Sequence, residues 1–196
     1  MDIFTNTHPE LDKKLIKVLR HNKDTNRIFD NEGYTNLKIL LKSLGYRDVS
    51  LEEIKHIVSS CPKQRFSIKE SNTIWYIRAN QGHSFEIDSD SLFTLIEDST
   101  LFLECFHGTN KNALVHIQNA GGLSVMCRTH IHIATSKNAL SGHRKSCNVY
   151  IYIDVTKAIK DGIKFYLSSN GVILTRGEND IGFLPSSYFS RIEVLE

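Results

Sequence analysis

Residues Asn148 to Val155 read Asn-Val-Tyr-Ile-Tyr-Ile-Asp-Val. Successive side chains alternate across a strand, so Val149, Ile151 and Ile153 share one face. This is the clearest strand of the chain, and the segments around it follow suit. Leu101–Phe106 reads as a strand that runs into His107-Gly108-Thr109. Lys111–Asn119 reads as a helix ended by Gly121 and Gly122. Thr129–Ala134 alternates, and Lys164–Leu167, Val172–Thr175 and Ile192–Leu195 are further strands. Many strands with few helices predict an antiparallel α+β lobe.

The first half has the other period. Pro9 suits a first helical position after Thr7 or His8, and Leu11, Leu15, Ile16 and Leu19 recur at helical spacing through about His21. Thr35 is expected to cap a second helix with Leu37, Leu40, Leu41 and Leu44 on its face, closed by Gly45. Ser50 with Glu53 forms a capping box for a third helix, with Ile54, Ile57 and Val58 inward, and Pro62 ends it. Arg65–Lys69 and Ile74–Arg78 alternate as two strands around a turn at Glu70 to Thr73. Three helices and a hairpin is the order of a winged helix. Between the halves, Gly82–Thr100 is polar and acidic and reads as a crossing, with a short helix near Ser91–Glu97. The expected domains are residues 1–98 and 99–196.

The chain carries 24 Lys+Arg against 22 Asp+Glu, a net charge of +2 over 196 residues. That balance excludes a polybasic, histone-like protein, not a local cationic site. The charge is uneven: residues 101–150 hold five cations against Glu104 alone, and five of the nine His. A segment so cationic and His-rich reads either as a solvated basic face or as a site for an anionic ligand. No run approaches a membrane span, and the N-terminus lacks the basic and apolar regions of a secretory leader. Cys61, Cys105, Cys127 and Cys147 form no CxxC and read as reduced thiols. His130 and His132 lie two apart with no third ligand at a recognisable spacing, so no metal is expected. No GxGxxG, P-loop or HExxH pattern occurs.

Several short motifs can carry chemistry. Arg20-His21 ends the first helix, where basic groups complement the helix dipole or form an anion clamp beside a titratable group. Arg65 stands where the third helix gives way to the hairpin, as a phosphate contact or as half of a buried ion pair. Arg78–Ser84 is a polar loop after a strand, where ligand groups gather or a turn is tied down. His107-Gly108-Thr109 offers directional hydrogen bonds and a glycine that admits a ligand close to the backbone. In Met126–His132, alternation puts Arg128, His130 and His132 on one polar face if the strand begins at Arg128.

In their joint order and spacing these motifs resemble the NAD-dependent tRNA 2′-phosphotransferase family. The residues that carry the resemblance are Val18–His21, Gly33-Tyr34, Lys63–Phe66, Arg78–Ser84, His107–Thr109, Gly122-Leu123, Met126–His132, Ser141–Arg144 and Asn170–Thr175. They span about residue 12 to the end. The resemblance implies an N-terminal winged-helix lobe and a C-terminal ADP-ribosyltransferase-like lobe that binds NAD. It implies Arg20, His21, Arg65 and Arg128 as catalytic residues. It implies His107, Gly108, Thr109, His132, Ser141, Gly142, Arg144 and Val172 around NAD. Protein-modifying relatives carry a Glu near Val172; Gly171–Leu174 offers none, which argues against protein acceptors. His143 stands where Met is common, and Cys127 fills a variable position.

The implied reaction has two steps. The RNA 2′-phosphate attacks C1″ of the nicotinamide ribose and expels nicotinamide, leaving 2′-phospho-ADP-ribosylated RNA. The ADP-ribose O2″ then attacks phosphorus, releasing RNA 2′-OH and ADP-ribose 1″,2″-cyclic phosphate. Step two concentrates charge on phosphoryl oxygens, where three forked guanidiniums suffice without a metal. His21 would assist O2″ as a base or by hydrogen bonding. Arg128 would have to face the other three, which predicts a cleft between lobes. The expected partners are 2′-phosphorylated RNA, with spliced tRNA foremost, and NAD, bound by a monomer away from membranes in the cytoplasm, or the nucleus of a eukaryote. Two other readings remain: an ADP-ribosyltransferase acting on terminal phosphates of nucleic acid, and a winged-helix nucleic-acid binder without catalysis.

Overall fold

A computed structural model describes residue 8 and residues 10–21 and 29–195; the expectations for Pro9 and Thr7 fall outside them. The chain divides into two compact units, Met1–Ile87 and Asp88–Glu196. It is a mixed α+β protein with antiparallel sheets.

The first unit begins with α1 (Leu11–Arg20), whose Leu11, Leu15 and Leu19 are fully buried. Residues four apart lie one above another on a helix face, so these three form one stripe against the unit's core. There follow β1 (Thr35–Asn36), α2 (Leu37–Ser43) and α3 (Leu51–Ser60). The capping box that opens α3 is present. The Ser50 hydroxyl accepts from Glu53 N at 3.2 Å, and the Glu53 carboxylate accepts from Ser50 N at 2.9 Å. The cap of α2 is Asn36, whose side chain accepts from Ile39 N at 3.0 Å, and not Thr35. Thr35 is buried and pairs with Ile77, so its strand bridge takes it out of the capping position. β2 (Phe66–Ser71) and β3 (Ile74–Ala79) form the hairpin, and β3 is central in the sheet order β1-β3-β2. Its two-residue turn holds Asn72 at φ 49° and Thr73 at φ 63°, the left-handed pair that matches the twist of a tight hairpin.

In the second unit a single helical turn, α4 (Ser89–Leu92), leads to β4 (Thr94–Leu95). The expected helix over Ser91–Glu97 is cut to this turn. The Asp88 carboxylate caps it by accepting from Asp90 N and Ser91 N, and Thr94-Leu95 then pair into a sheet. Next come β5 (Phe106–Thr109), α5 (Lys111–Ala120), β6 (Gly122–Ser124), β7 (Ile131–Ala134), β8 (Val149–Ile153) and α6 (Val155–Lys160). β9 (Tyr166–Leu167), β10 (Val172–Thr175), β11 (Phe183–Pro185) and β12 (Phe189–Val194) complete the unit. Seven strands form one sheet in the order β12-β8-β5-β7-β10-β9-β4, and β11 and β6 form a second. Every adjacent pair is antiparallel.

Cross-strand partners share a face of a sheet. Ile131, Ile133, Val149, Ile151 and Ile173 build the main core on one face of the large sheet. Phe106, Ala134 and Tyr152 build a smaller cluster on the other.

Three further expectations for this unit are corrected. Leu101–Phe106 is not a strand. The Asp98 carboxylate accepts from Thr100 N and from its hydroxyl, Phe102 N donates to Ser99 O, and Leu101 and Leu103 stand exposed. The strand over Asn148–Val155 stops at Ile153, because the Asp154 side chain accepts from Lys157 N at 2.9 Å and so opens α6. Thr129–Ala134 becomes a strand only at Ile131.

Candidate active site

In the first unit, Arg20 is the last residue of α1 and His21 its exposed cap. The polar stretch after β3 comes back to this helix end: Ser84 N donates to Arg20 O at 2.8 Å and the Ser84 hydroxyl at 3.2 Å. The Arg20 guanidinium lies along the backbone of Gly82, where an added Cβ would stand 3.1 Å from Nε. Arg65 sits just outside β2, and its Nη1 donates to the Cys61 sulfur at 3.8 Å. Both arginines named by the sequence in this unit therefore touch one continuous piece of chain, Ala79–Ser84.

In the second unit, His107 and Thr109 pair with Ile151 and Val149 across β8, whereas His132 and Val172 belong to the face of Phe106 and Ala134. The two imidazoles thus stand on different faces by the pleat. A hydrogen bond connects them: His107 Nδ1 lies 2.9 Å from the His132 carbonyl oxygen. A carbonyl only accepts, so Nδ1 carries the proton and Nε2 is left as an acceptor in the neutral ring. β5 and β7 share only the Phe106–Ala134 position, and the imidazole bond bridges the strands beyond it. Burial pushes the His107 pKa down; the bond to His132 opposes that, and the charge of Arg128 adds to it.

Arg128 stands in a turn. Its N–H donates to Val125 O at 3.1 Å after Met126 at φ 57°. The single polar face expected for Arg128, His130 and His132 therefore does not exist. His130 is 3% exposed and lies 3.0 Å from the Ser89 hydroxyl and 2.8 Å from the Thr129 hydroxyl, edge-on to Phe93. These contacts hold the fold locally. Burial pulls the Arg128 pKa down, Cys127 opposes this, and the like charge of Arg144 works in the same direction as burial. Arg128 thus bears electrostatically on His107, and Arg144 on Arg128.

The Ser141–Arg144 loop packs on the Phe106 face. Gly142 sits at φ 92°, and a Cβ there would lie 2.8 Å from Ala134 Cα. Only glycine fits this left-handed, close-packed position. Gly108 is glycine for a related reason: a Cβ would meet His143 Cβ at 2.8 Å and the Cys147 sulfur at 3.0 Å. On that side the space is taken by protein. Ser141 is buried and Arg144 exposed. Asn148, whose N–H donates to Thr109 O, has a buried Oδ1 with no hydrogen-bond partner among the described residues. Two acceptors, His107 Nε2 and Asn148 Oδ1, therefore lie along the β5 segment. They suit the hydroxyl and carboxamide donors of NAD. Among the described residues, no group of three or more His, Cys, Asp or Glu could hold a metal ion, and no helix is long and apolar enough to cross a membrane.

Nothing in the sequence singles out Asn148 or the part played by Asn80. Each is an asparagine beside a strand end, a signal too common to stand out alone.

Residues 6–177 match the model of the family described as RNA 2′-phosphotransferase, Tpt1 / KptA family. The chain is 42% identical over 186 residues to a Schizosaccharomyces pombe relative, covering 92% of this chain and 50% of that one. It is 38% identical over 195 residues to tRNA 2′-phosphotransferase 1 of Danio rerio, covering 95% and 85%. It is 37% identical over 187 residues to tRNA 2′-phosphotransferase 1 of Mus musculus, covering 92% and 74%. The chain thus spans about half the length of the Schizosaccharomyces pombe relative and most of the two vertebrate ones.

Proposed function

The chain belongs to the RNA 2′-phosphotransferase family, and from that premise we propose that it moves the internal 2′-phosphate of RNA, spliced tRNA foremost, onto NAD. The products are RNA 2′-OH, nicotinamide and ADP-ribose 1″,2″-cyclic phosphate. The first unit then acts as a winged-helix lobe and the second as an ADP-ribosyltransferase-like lobe. The enzyme works as a monomer in the cytoplasm, or in the nucleus of a eukaryote.

NAD, when bound, supplies a ribose carbon whose nicotinamide leaving group is already activated, with a neighbouring hydroxyl that can take over the phosphoryl group. His107 Nε2 accepts from a ribose hydroxyl, since its ring is held neutral with Nδ1 turned to His132 O. Thr109 and Asn148 orient the nicotinamide end, and His132, Ser141, Gly142 and Val172 shape the surrounding pocket. Arg20, Arg65 and Arg128 bind the phosphate and stabilise the charge that grows on its oxygens, which forked donors in a partly dry site do well. Guanidiniums stay charged despite burial, which ammonium groups do not. His21, exposed at the helix end, takes the proton from the attacking hydroxyl or hydrogen-bonds to it.

The observation that carries the reading is the Arg128–Arg144–His107 neighbourhood. Arg128 carries its charge against burial and the like charge of Arg144, and bears on the neutral His107 ring; an anion beside Arg128 would relieve that cost. The test is incubation of a 2′-phosphorylated RNA with the protein, with and without NAD, followed by product analysis. NAD-dependent conversion to RNA 2′-OH with release of the cyclic phosphate is expected. RNA that stays ADP-ribosylated would favour a terminal-phosphate ADP-ribosyltransferase, and RNA bound but unchanged would favour a binding protein.

A further inference from the structure

Asn80 is 4% exposed, and its hydrogen bonds gather around Arg65. Its Nδ2 donates to Gln64 O at 2.7 Å and to Phe66 O at 3.2 Å. Its Oδ1 accepts from the Ser67 hydroxyl at 2.6 Å, and its backbone N donates to Arg65 O at 2.9 Å. The regular β2–β3 ladder ends at Phe66 opposite Ala79. One residue further, the backbone bond from Asn80 to Arg65 is joined by the Asn80 side chain, which grips the carbonyls on both sides of Arg65. Gln64, on the far side, is held at φ 44°.

Two residues on, Gly82 at φ 89° lies under the Arg20 guanidinium, and Ser84 ties the backbone of Arg20. A side chain at position 82 would have to displace Nε and Cζ, which an added Cβ would meet at 3.1 and 3.2 Å. A loop whose only task is to turn the chain needs neither contact.

We propose that Ala79–Ser84 is a frame that sets the two first-unit arginines for a phosphate, with Asn80 the positioning residue for Arg65 and Gly82 the position that sets Arg20. The inference rests on the proposed function, because it assumes that these guanidiniums bind the RNA 2′-phosphate. Misplacing a charged donor by a fraction of an ångström costs binding and rate while leaving its charge in place.

The test compares binding of one RNA oligonucleotide carrying an internal 2′-phosphate with the same oligonucleotide carrying a 2′-hydroxyl. The full chain is used, with NAD affinity and melting temperature measured alongside. Asn80→Ala is expected to reduce the preference for the phosphorylated RNA about tenfold, and Gly82→Ala about threefold, each with NAD affinity within about twofold of wild type. Ser67→Ala removes only one partner of the Asn80 oxygen, keeps the fold, and is expected to lose about twofold in the same direction. A merely structural Asn80 would lower the melting temperature and leave the preference unchanged. Arg65→Ala separates the role of the guanidinium from that of its frame. If it keeps the preference, the proposed function fails and this inference with it. If it loses the preference while folded Asn80, Gly82 and Ser67 variants all keep it, the inference alone is overturned.

Discussion

The two units hold their guanidiniums by different physics. At Arg65 the backbone is fixed on both sides by hydrogen bonds to Asn80, and the side chain projects from the end of a ladder. At Arg128 the chain is a turn, and the guanidinium is held against burial and the like charge of Arg144. The first arrangement fixes direction. The second concentrates positive charge at a cost that a bound anion would offset. A net charge of +2 conceals both, because each depends on where a few charges are placed and not on their sum.

Removing either arginine should have the largest effect. Arg65→Ala and Arg128→Ala are each expected to lower kcat/KM for 2′-phosphorylated RNA by about 100- to 1000-fold. Lysine sharpens the contrast. Arg65→Lys should fail at every pH, since an ammonium lacks the fork that the fixed backbone aims. Arg128→Lys should retain some activity at low pH and lose it as pH rises, because burial and Arg144 push an ammonium pKa below its usual 10.4 or so. Identical pH profiles for the two lysine variants would erase the distinction.

The stability of the second unit should respond to acid through His107. Its folded pKa lies below the ordinary 6.5, so the unfolded chain takes up a proton first. The contribution of the neutral ring is complete above that ordinary value and is lost as pH falls through the lowered one. Melting temperatures measured from about pH 7 down to about pH 5 should fall for wild type. His107→Asn, which keeps a donor toward His132 O, should flatten that fall. An unchanged slope would mean that His107 is not held neutral.

Smaller effects come from exposed groups. Arg144→Gln should weaken anion binding about two- to threefold at low salt and hardly at all at high salt, where exposed charges are screened. Ser50→Ala removes the α3 cap and should cost about 1 kcal/mol of stability, with kcat/KM unchanged. A change in catalysis there would mean that the first unit transmits strain from its helices to Arg65.

Much of this was legible from local patterns. The α3 capping box, the leucine stripe of α1, the hairpin and the Val149–Ile153 face are set by neighbours a few residues apart, and all are present. What escaped depends on distant partners. Thr35 leaves its capping position for a strand bridge to Ile77. Leu101–Leu103 looks like a strand but is held in the turn that Asp98 and Ser99 make with Thr100 and Phe102. Arg128 and His130 alternate in sequence, yet contacts at Val125, Thr129 and Ser89 bend them into a turn. The arginines proposed for the phosphate stand out in their motifs, whereas the Asn80 clamp does not, because its meaning lies in four bonds made across a hairpin.

The most direct measurement follows the phosphorus itself by NMR while the protein acts on an RNA with a single internal 2′-phosphate in the presence of NAD. The phosphomonoester signal is expected to disappear only when NAD is present and to be replaced by that of a five-membered cyclic phosphodiester on ADP-ribose, with one nicotinamide released per phosphate. A phosphomonoester signal that survives prolonged incubation with NAD, or a phosphodiester that stays attached to the RNA, would contradict it.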